Sequence, residues 1–252
     1  MGKRAILRRY GFGFLVLYTG RTDAELKAAA TKGHDARELG AGDGKAAVAA
    51  AAREGFPRGV LIFLDQEEGG RLLEEQAGYV FAWIDAVRAA GARAGVYCSG
   101  VDVTDSGGTI STAEDIAGRE IVGELATCRN MPPGSEVCID HTSDPQERLA
   151  LWIANDRCPP APGCTLAAPP VGMVIHEGIK EFVTVWQYAQ SPRRKQFSAS
   201  CPRNQAADGN CYAPGLPRGP NAFVDLDAAY SPDPSESLDS GSRGGEENGR
   251  SH

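Results

Sequence analysis

The run Gly59-Val60-Leu61-Ile62-Phe63-Leu64 constrains the fold of this chain more than any other segment. It is continuously apolar rather than alternating, so the strand it predicts must be covered on both faces. Such strands belong in mostly parallel sheets, because an antiparallel sheet with one wet face carries polar residues at every second position. The run stops abruptly at Asp65-Gln66-Glu67-Glu68-Gly69-Gly70. Strand side chains alternate, so Asp65 and Glu67 share a face with their Cα atoms roughly 7 Å apart. Two carboxylates in that position repel, and one of them holds a proton more tightly, which is what a general acid requires. The competing reading is a solvated loop start, where acids supply only charge.

The remaining pattern extends this element into an alternating series. Phe12 to Tyr18 reads as a strand, Asp23 to Ala30 as a helix, and Asp43 to Glu54 as an alanine-rich helix ended by Gly55-Phe56-Pro57. Leu72 to Ala90 is the clearest helix: Tyr79, Val80, Trp83, Ile84 and Val87 fall at helical spacing, and Gly91 stops it. Ala94 to Tyr97 is the next strand. Thr112 to Leu125 reads as a helix capped by Thr112, with Asp115 three residues on. Leu149 to Ala154, Phe182 to Tyr188 and Ala222 to Leu226 complete the strands. Strands alternating with helices predict a parallel α/β fold. Polar or aromatic residues gather at the strand ends, where both (β/α)₈ barrels and open doubly wound sheets build their sites. No Gly-x-Gly-x-x-Gly follows a strand, so nucleotide binding has little support. One domain is expected over residues 1–230. Residues 231–252, rich in Ser, Gly, Asp, Glu and Pro, read as a disordered tail.

Charge and cysteine usage narrow the function classes. The net charge is −7 with no long basic run, so the electrostatic footprint of a nucleic-acid binder is absent. No stretch approaches the roughly 20 apolar residues of a membrane span. Of the seven cysteines, Cys128 and Cys138, Cys158 and Cys164, and Cys201 and Cys211 bracket polar or Pro/Gly-containing loops, as disulfides of an extracytoplasmic protein do; reduced thiols are the alternative. Cys98, after Ala94 to Tyr97, is expected to be the unpaired one, packed as a small hydrophobe. No Cys-x-x-Cys occurs, and His34, His141 and His176 are scattered, so no metal or cofactor is expected. Export conflicts with the N-terminus: Lys3, Arg4, Arg8 and Arg9 are followed only by the short apolar run Phe12 to Leu17, not by a signal-peptide core.

The ordered strand ends resemble those of the family 25 glycoside hydrolases, the lysozyme-like muramidases. The matching segments are Asp65-x-Glu67, Gly95-Val96-Tyr97, Leu151-Trp152-Ile153-Ala154, Trp186-Gln187-Tyr188 and Val224-Asp225-Leu226, with Asp227 standing where asparagine is usual. Their wording is closer to the related domain of unknown function 1906, described as glycoside-hydrolase-like. The resemblance implies a (β/α)₈ barrel of the TIM type whose third through eighth strands are seen here. Its first two βα units, with the first-strand aspartate, find no match, and an N-terminal truncation would account for both that gap and the missing signal peptide. It further implies Glu67 as general acid, Asp65 orienting an acetamido group or stabilising positive charge, and Asp225 across the barrel mouth. Tyr97 and Trp186 become sugar platforms, and Gln187 a hydrogen-bonding partner of hydroxyls. The implied partner is peptidoglycan or a related cell-wall polysaccharide, acted on by a monomer. Against these stand plainer readings: Trp152 and Trp186 as core, Asp225 as a cap, Arg21 as an exposed loop residue, Glu68 pointing away as a solvated or first-turn acid. A catalytically silent sugar-binding module and a truncated, nonfunctional fragment are the alternatives to a hydrolase.

Overall fold

A computed structural model describes residues 2–129, 148–155, 177–190 and 225–236. In chain order the elements are α1 (Lys3–Arg9), β1 (Val16–Thr19), α2 (Asp23–Ala30), α3 (Ala36–Arg53), β2 (Leu61–Gln66), α4 (Glu74–Ala89), β3 (Arg93–Ser99), β4 (Val103–Asp105), β5 (Gly108–Ile110), α5 (Thr112–Arg129), β6 (Ala150–Ala154), β7 (Val183–Gln190) and β8 (Asp225–Ala229). A single 3₁₀ turn, Glu177–Ile179, precedes β7. Among the described residues no helix is long and apolar enough to cross a membrane.

The main sheet has six strands in the order β1-β2-β3-β6-β7-β8, and β4 and β5 form a separate hairpin. All pairs from β1 to β7 are parallel. Each crossover therefore advances the sheet in the same direction, and crossovers of one hand lay their helices on one face. That face holds the larger core: Ile62, Leu64, Val96, Cys98, Leu151 and Ile153 pack against Leu26, Tyr79, Val80, Trp83, Ile84, Val87 and Ile116. The predicted core positions of α4 are all buried there. Gly91 ends that helix at φ 79°, in the left-handed region that glycine adopts without strain.

Helix α3 begins well before the expected Asp43, because Asp35 accepts hydrogen bonds from Arg37 N at 2.6 Å and Glu38 N at 3.3 Å as its cap. Its glycines are contact points rather than breaks. A Cβ at Gly40 would collide with the Tyr79 carbonyl, and one at Gly44 would lie 2.7 Å from the Trp83 carbonyl. With Ala47 and Ala51, also buried, they make a small-residue stripe that lets α3 lie against α4. The cap of α5 is Ser111 rather than Thr112: Ser111 and Glu114 bond each other's backbone N–H reciprocally, while Thr112 donates to the Gly70 carbonyl at 2.9 Å.

The described strands do not close into a (β/α)₈ barrel. The last one runs antiparallel, pairing Gln190 with Asp225 and Val185 with Ala229, and no described strand occupies the outer edge of β1. After Tyr230 the chain crosses beneath the N-terminal ends of the first strands. Ser235 is fully buried; its Oγ accepts from Val16 N at 2.9 Å, its carbonyl from Leu61 N at 2.8 Å, and its N–H donates to the Phe14 carbonyl at 3.1 Å. Glu236 accepts from Arg4 at 2.6 and 2.7 Å and also bonds Arg8. Residues 231–236 are thus a strap docked on the sheet, not the start of a detached tail. They satisfy strand-end N–H groups that would otherwise be orphaned.

Cys98 is free and buried, as its apolar setting predicts. Desolvation pushes its thiol up to about 12. The three bracketing cysteine pairs, and the segment Cys138 to His141, which fits either an extra strand or an insertion, lie outside the residues whose side chains are described.

Candidate functional site

Strand alternation puts a second set of side chains on the sheet face away from the helices. Leu61, Phe63, Ala150, Trp152 and Val185 form a smaller cluster there, with Tyr97 and Leu15 against it. Gly95 makes the cluster possible: a Cβ at that position would lie 2.6 Å from Phe63 Cδ1, so the Phe63 ring lies over β3. From there it reaches Trp152 edge-on, with ring centroids 5.6 Å apart, and Trp152 meets Tyr97 at 5.0 Å.

Toward the strand C-termini this face turns polar. Asp65, Tyr97 and Trp152 are register partners across β2, β3 and β6. Tyr97 Oη donates to Gln187 Oε1 at 2.8 Å, spanning the intervening strand β6. Trp152 Nε1 donates to Asp227 Oδ1 at 2.8 Å, and Asp227 is in turn the register partner of Gln187. Asp225 is exposed, further out toward the rim, and paired in register with Gln190. The Tyr97 phenol is raised above its ordinary range by burial first, then by the negative charges of Asp225, Asp65, Glu67 and Asp227. Carboxylates from β8 and from the end of β2 therefore converge on one tyrosine.

Within this group the Asp65 carboxyl is perturbed. Burial, then repulsion from Glu67 and Glu68, raises its carboxyl from the ordinary 3.8 to about 6. Its Oδ1 is buried without a hydrogen-bond partner among the described residues. Glu67 is exposed, one residue beyond the end of β2. Glu68 turns to the helix side, as alternation predicts, and accepts from Asp23 N at 2.8 Å and Gln66 Nε2 at 2.8 Å. It therefore serves the first turn of α2, where a negative charge is favourable.

Four of the sequence-predicted site residues, Asp65, Tyr97, Gln187 and Asp225, come together on this face, with Glu67 at its edge. Trp186 does not join them. It aligns with Ile153 on the helix-covered face, is 5 % exposed, and donates from Nε1 to the Asn155 carbonyl at 3.0 Å. It is a core residue rather than a sugar platform. Arg21 grips Asp43 of α3 at 2.7 and 3.1 Å, and Tyr79 Oη donates to the same carboxylate at 2.8 Å, so Arg21 serves the helix layer. Asp227 and Trp152, not expected at the site from sequence, join this group through their mutual hydrogen bond. The signal was present in Asp225-Leu226-Asp227, which repeats the acid-x-acid spacing of Asp65-Gln66-Glu67. Among the described residues no group of three or more His, Cys, Asp or Glu side chains could hold a metal ion.

Residues 4–130 match the family described as "Rv2525c-like, glycoside hydrolase-like domain". One solved structure, of an uncharacterized B. stearothermophilus protein, is 22 % identical, covering 75 % of this chain and 69 % of that one with a TM-score of 0.44. No curated protein matches.

Proposed function

The chain belongs to the Rv2525c-like, glycoside hydrolase-like domain family, and from that premise we propose that it cleaves a cell-wall glycan at the strand-end face carrying Asp65, Tyr97 and Asp227. The observation that carries this reading is the half-buried Asp65 carboxyl, raised to about 6, with Oδ1 lacking a partner among the described residues. A carboxyl on a strand-end face that keeps its proton up to about pH 6 is suited to giving that proton to a glycosidic oxygen under mildly acidic conditions.

In the proposed reaction Asp65 transfers its proton to that oxygen as the bond to the anomeric carbon breaks, and the leaving sugar departs as an alcohol. The bonding electron pair goes with the oxygen, leaving positive charge at the ring. Water adds to the anomeric carbon and loses its proton to a carboxylate, which restores neutrality. Asp65 takes the acid role that the family 25 resemblance gives to Glu67, because Glu67 stands exposed past the strand end. Glu67 and Asp225 then contribute negative charge and contacts at the rim, and Tyr97 an apolar edge for a sugar ring. The substrate class is peptidoglycan or a related β-1,4-linked polysaccharide, which would have the protein work outside the cytoplasm, in keeping with its cysteine-bracketed loops.

The test is release of reducing ends from purified peptidoglycan by the wild type, Asp65→Asn and Glu67→Gln. Asp65→Asn is expected to lose at least about 100-fold in rate, the scale of general acid catalysis, and Glu67→Gln much less. Equal rates for wild type and Asp65→Asn would refute the assignment. Binding to peptidoglycan without any release by the wild type would make the chain a sugar-binding module instead.

A further inference from the structure

We infer that Asp227, held in place by the Trp152 indole, is the carboxylate that stabilises positive charge on the sugar ring opposite the acid Asp65; this rests on the hydrolase reading above. The two carboxyl groups occupy one sheet face in contrasting surroundings. Asp65 has a buried oxygen that no N–H or O–H of the described residues approaches. Asp227 receives the Trp152 Nε1–H at 2.8 Å. Burial without a donor favours the neutral form of Asp65, whereas the indole N–H fixes one oxygen of Asp227 in place. A pair of carboxyl groups separated in this way divides the work into proton donor and fixed negative charge.

The donor itself cannot swing away. Trp152 is 9 % exposed and is wedged edge-on between the Phe63 and Tyr97 rings, at 5.6 and 5.0 Å. Phe63 is seated by the missing side chain of Gly95. The position of Asp227 Oδ1 is therefore set by the apolar cluster before any ligand arrives. Charge placed in advance of the reaction is what makes electrostatic stabilisation effective. Its neighbour in register, Gln187, is fixed in turn by the Tyr97 hydroxyl. Trp152 is accordingly a positioning residue, and Asp227 the group that faces the reacting ring.

Peptidoglycan cleavage by Asp227→Asn and Trp152→Phe, with kcat and KM measured separately, tests the inference. Asparagine keeps an acceptor oxygen for the indole N–H but removes the charge. It is expected to lower kcat about 100-fold, the scale of one preorganised electrostatic contact, with KM within about twofold and the urea midpoint unchanged. Phenylalanine keeps the ring contacts and removes only the N–H, and is expected to lower kcat about tenfold, also without moving KM. An active wild type with kcat unchanged in Asp227→Asn overturns the inference and leaves the hydrolase reading standing. An inactive wild type removes both. Should Asp227→Asn fail to fold, Trp152→Phe decides: a loss confined to kcat supports the inference, and an unchanged kcat overturns it.

Discussion

Replacing Asp65 by asparagine is expected to stabilise the protein at neutral pH while removing its proposed activity. The carboxyl is raised from 3.8 to about 6, first by burial and then by the charges of Glu67 and Glu68. The native state therefore binds this proton more tightly than the unfolded chain does. The resulting stabilisation is complete below about pH 4 and is lost as pH rises through about 6. Above that point the fold carries an ionised, partly desolvated carboxylate beside two others. At full strength such a displacement corresponds to about 3 kcal/mol. Asp65 is only half-buried, so solvent screening reduces this to roughly 1–2 kcal/mol. For a domain of this size the gain amounts to roughly 2–8 °C in melting temperature. Urea unfolding of wild type and Asp65→Asn at pH 7.5 and pH 3.5 measures it directly. The variant should be more resistant at pH 7.5 and indistinguishable at pH 3.5. An equal or lower midpoint at pH 7.5, or a gain that persists undiminished at pH 3.5, would refute the reasoning. The same titration sets the activity profile: cleavage should fall as pH rises through about 6, because the acid has then lost its proton. A gain in stability coupled to a loss of activity is the trade expected where a site holds a charge in an unfavourable place.

Two further outcomes test the scaffold. Gly95→Ala puts a methyl group 2.6 Å from Phe63 Cδ1 and 3.0 Å from the Ala150 carbonyl; it should cost about 2–3 kcal/mol in urea unfolding, and trimming Phe63 to leucine in the same chain should recover part of the loss. Glu236→Gln weakens the ion pairs to Arg4 and Arg8 that hold the strap; a loss of about 1–2 kcal/mol is expected, larger in low salt than at 0.5 M, because Arg8 is half-exposed and screened.

Local pattern alone carried the α/β layer arrangement. Helix α2 falls on its expected residues, Asp23–Ala30, because Thr22 and Glu25 form a capping box. The α4 positions predicted to face the core are buried because helical periodicity leaves an apolar stripe only one place to go. Other features depend on partners remote in the chain. Gly40 and Gly44 look like helix breakers until α4 lies across them. Residues 231–236 look like tail until Ser235 meets the orphaned ends of β1 and β2. The hairpin β4–β5 and helix α1 are too short for periodicity to reveal.

The site divides in the same way. The position of the acid-x-acid segment, at the end of a strand in the parallel part of the sheet, is legible in the sequence, since the length of an apolar run is a local property. Which acid keeps its proton is not, because burial and the hydrogen-bond donors around each carboxyl come from other strands. The clearest case is β7. Leu151 pairs with Val183 but Trp152 pairs with Val185, so one extra residue is inserted at Thr184. That insertion exchanges the faces of everything after it, sending Trp186 into the core and Gln187 to Tyr97. A side-chain period of two is legible in a sequence; a one-residue slip in its phase is set by the neighbouring strand, and only the folded sheet contains it.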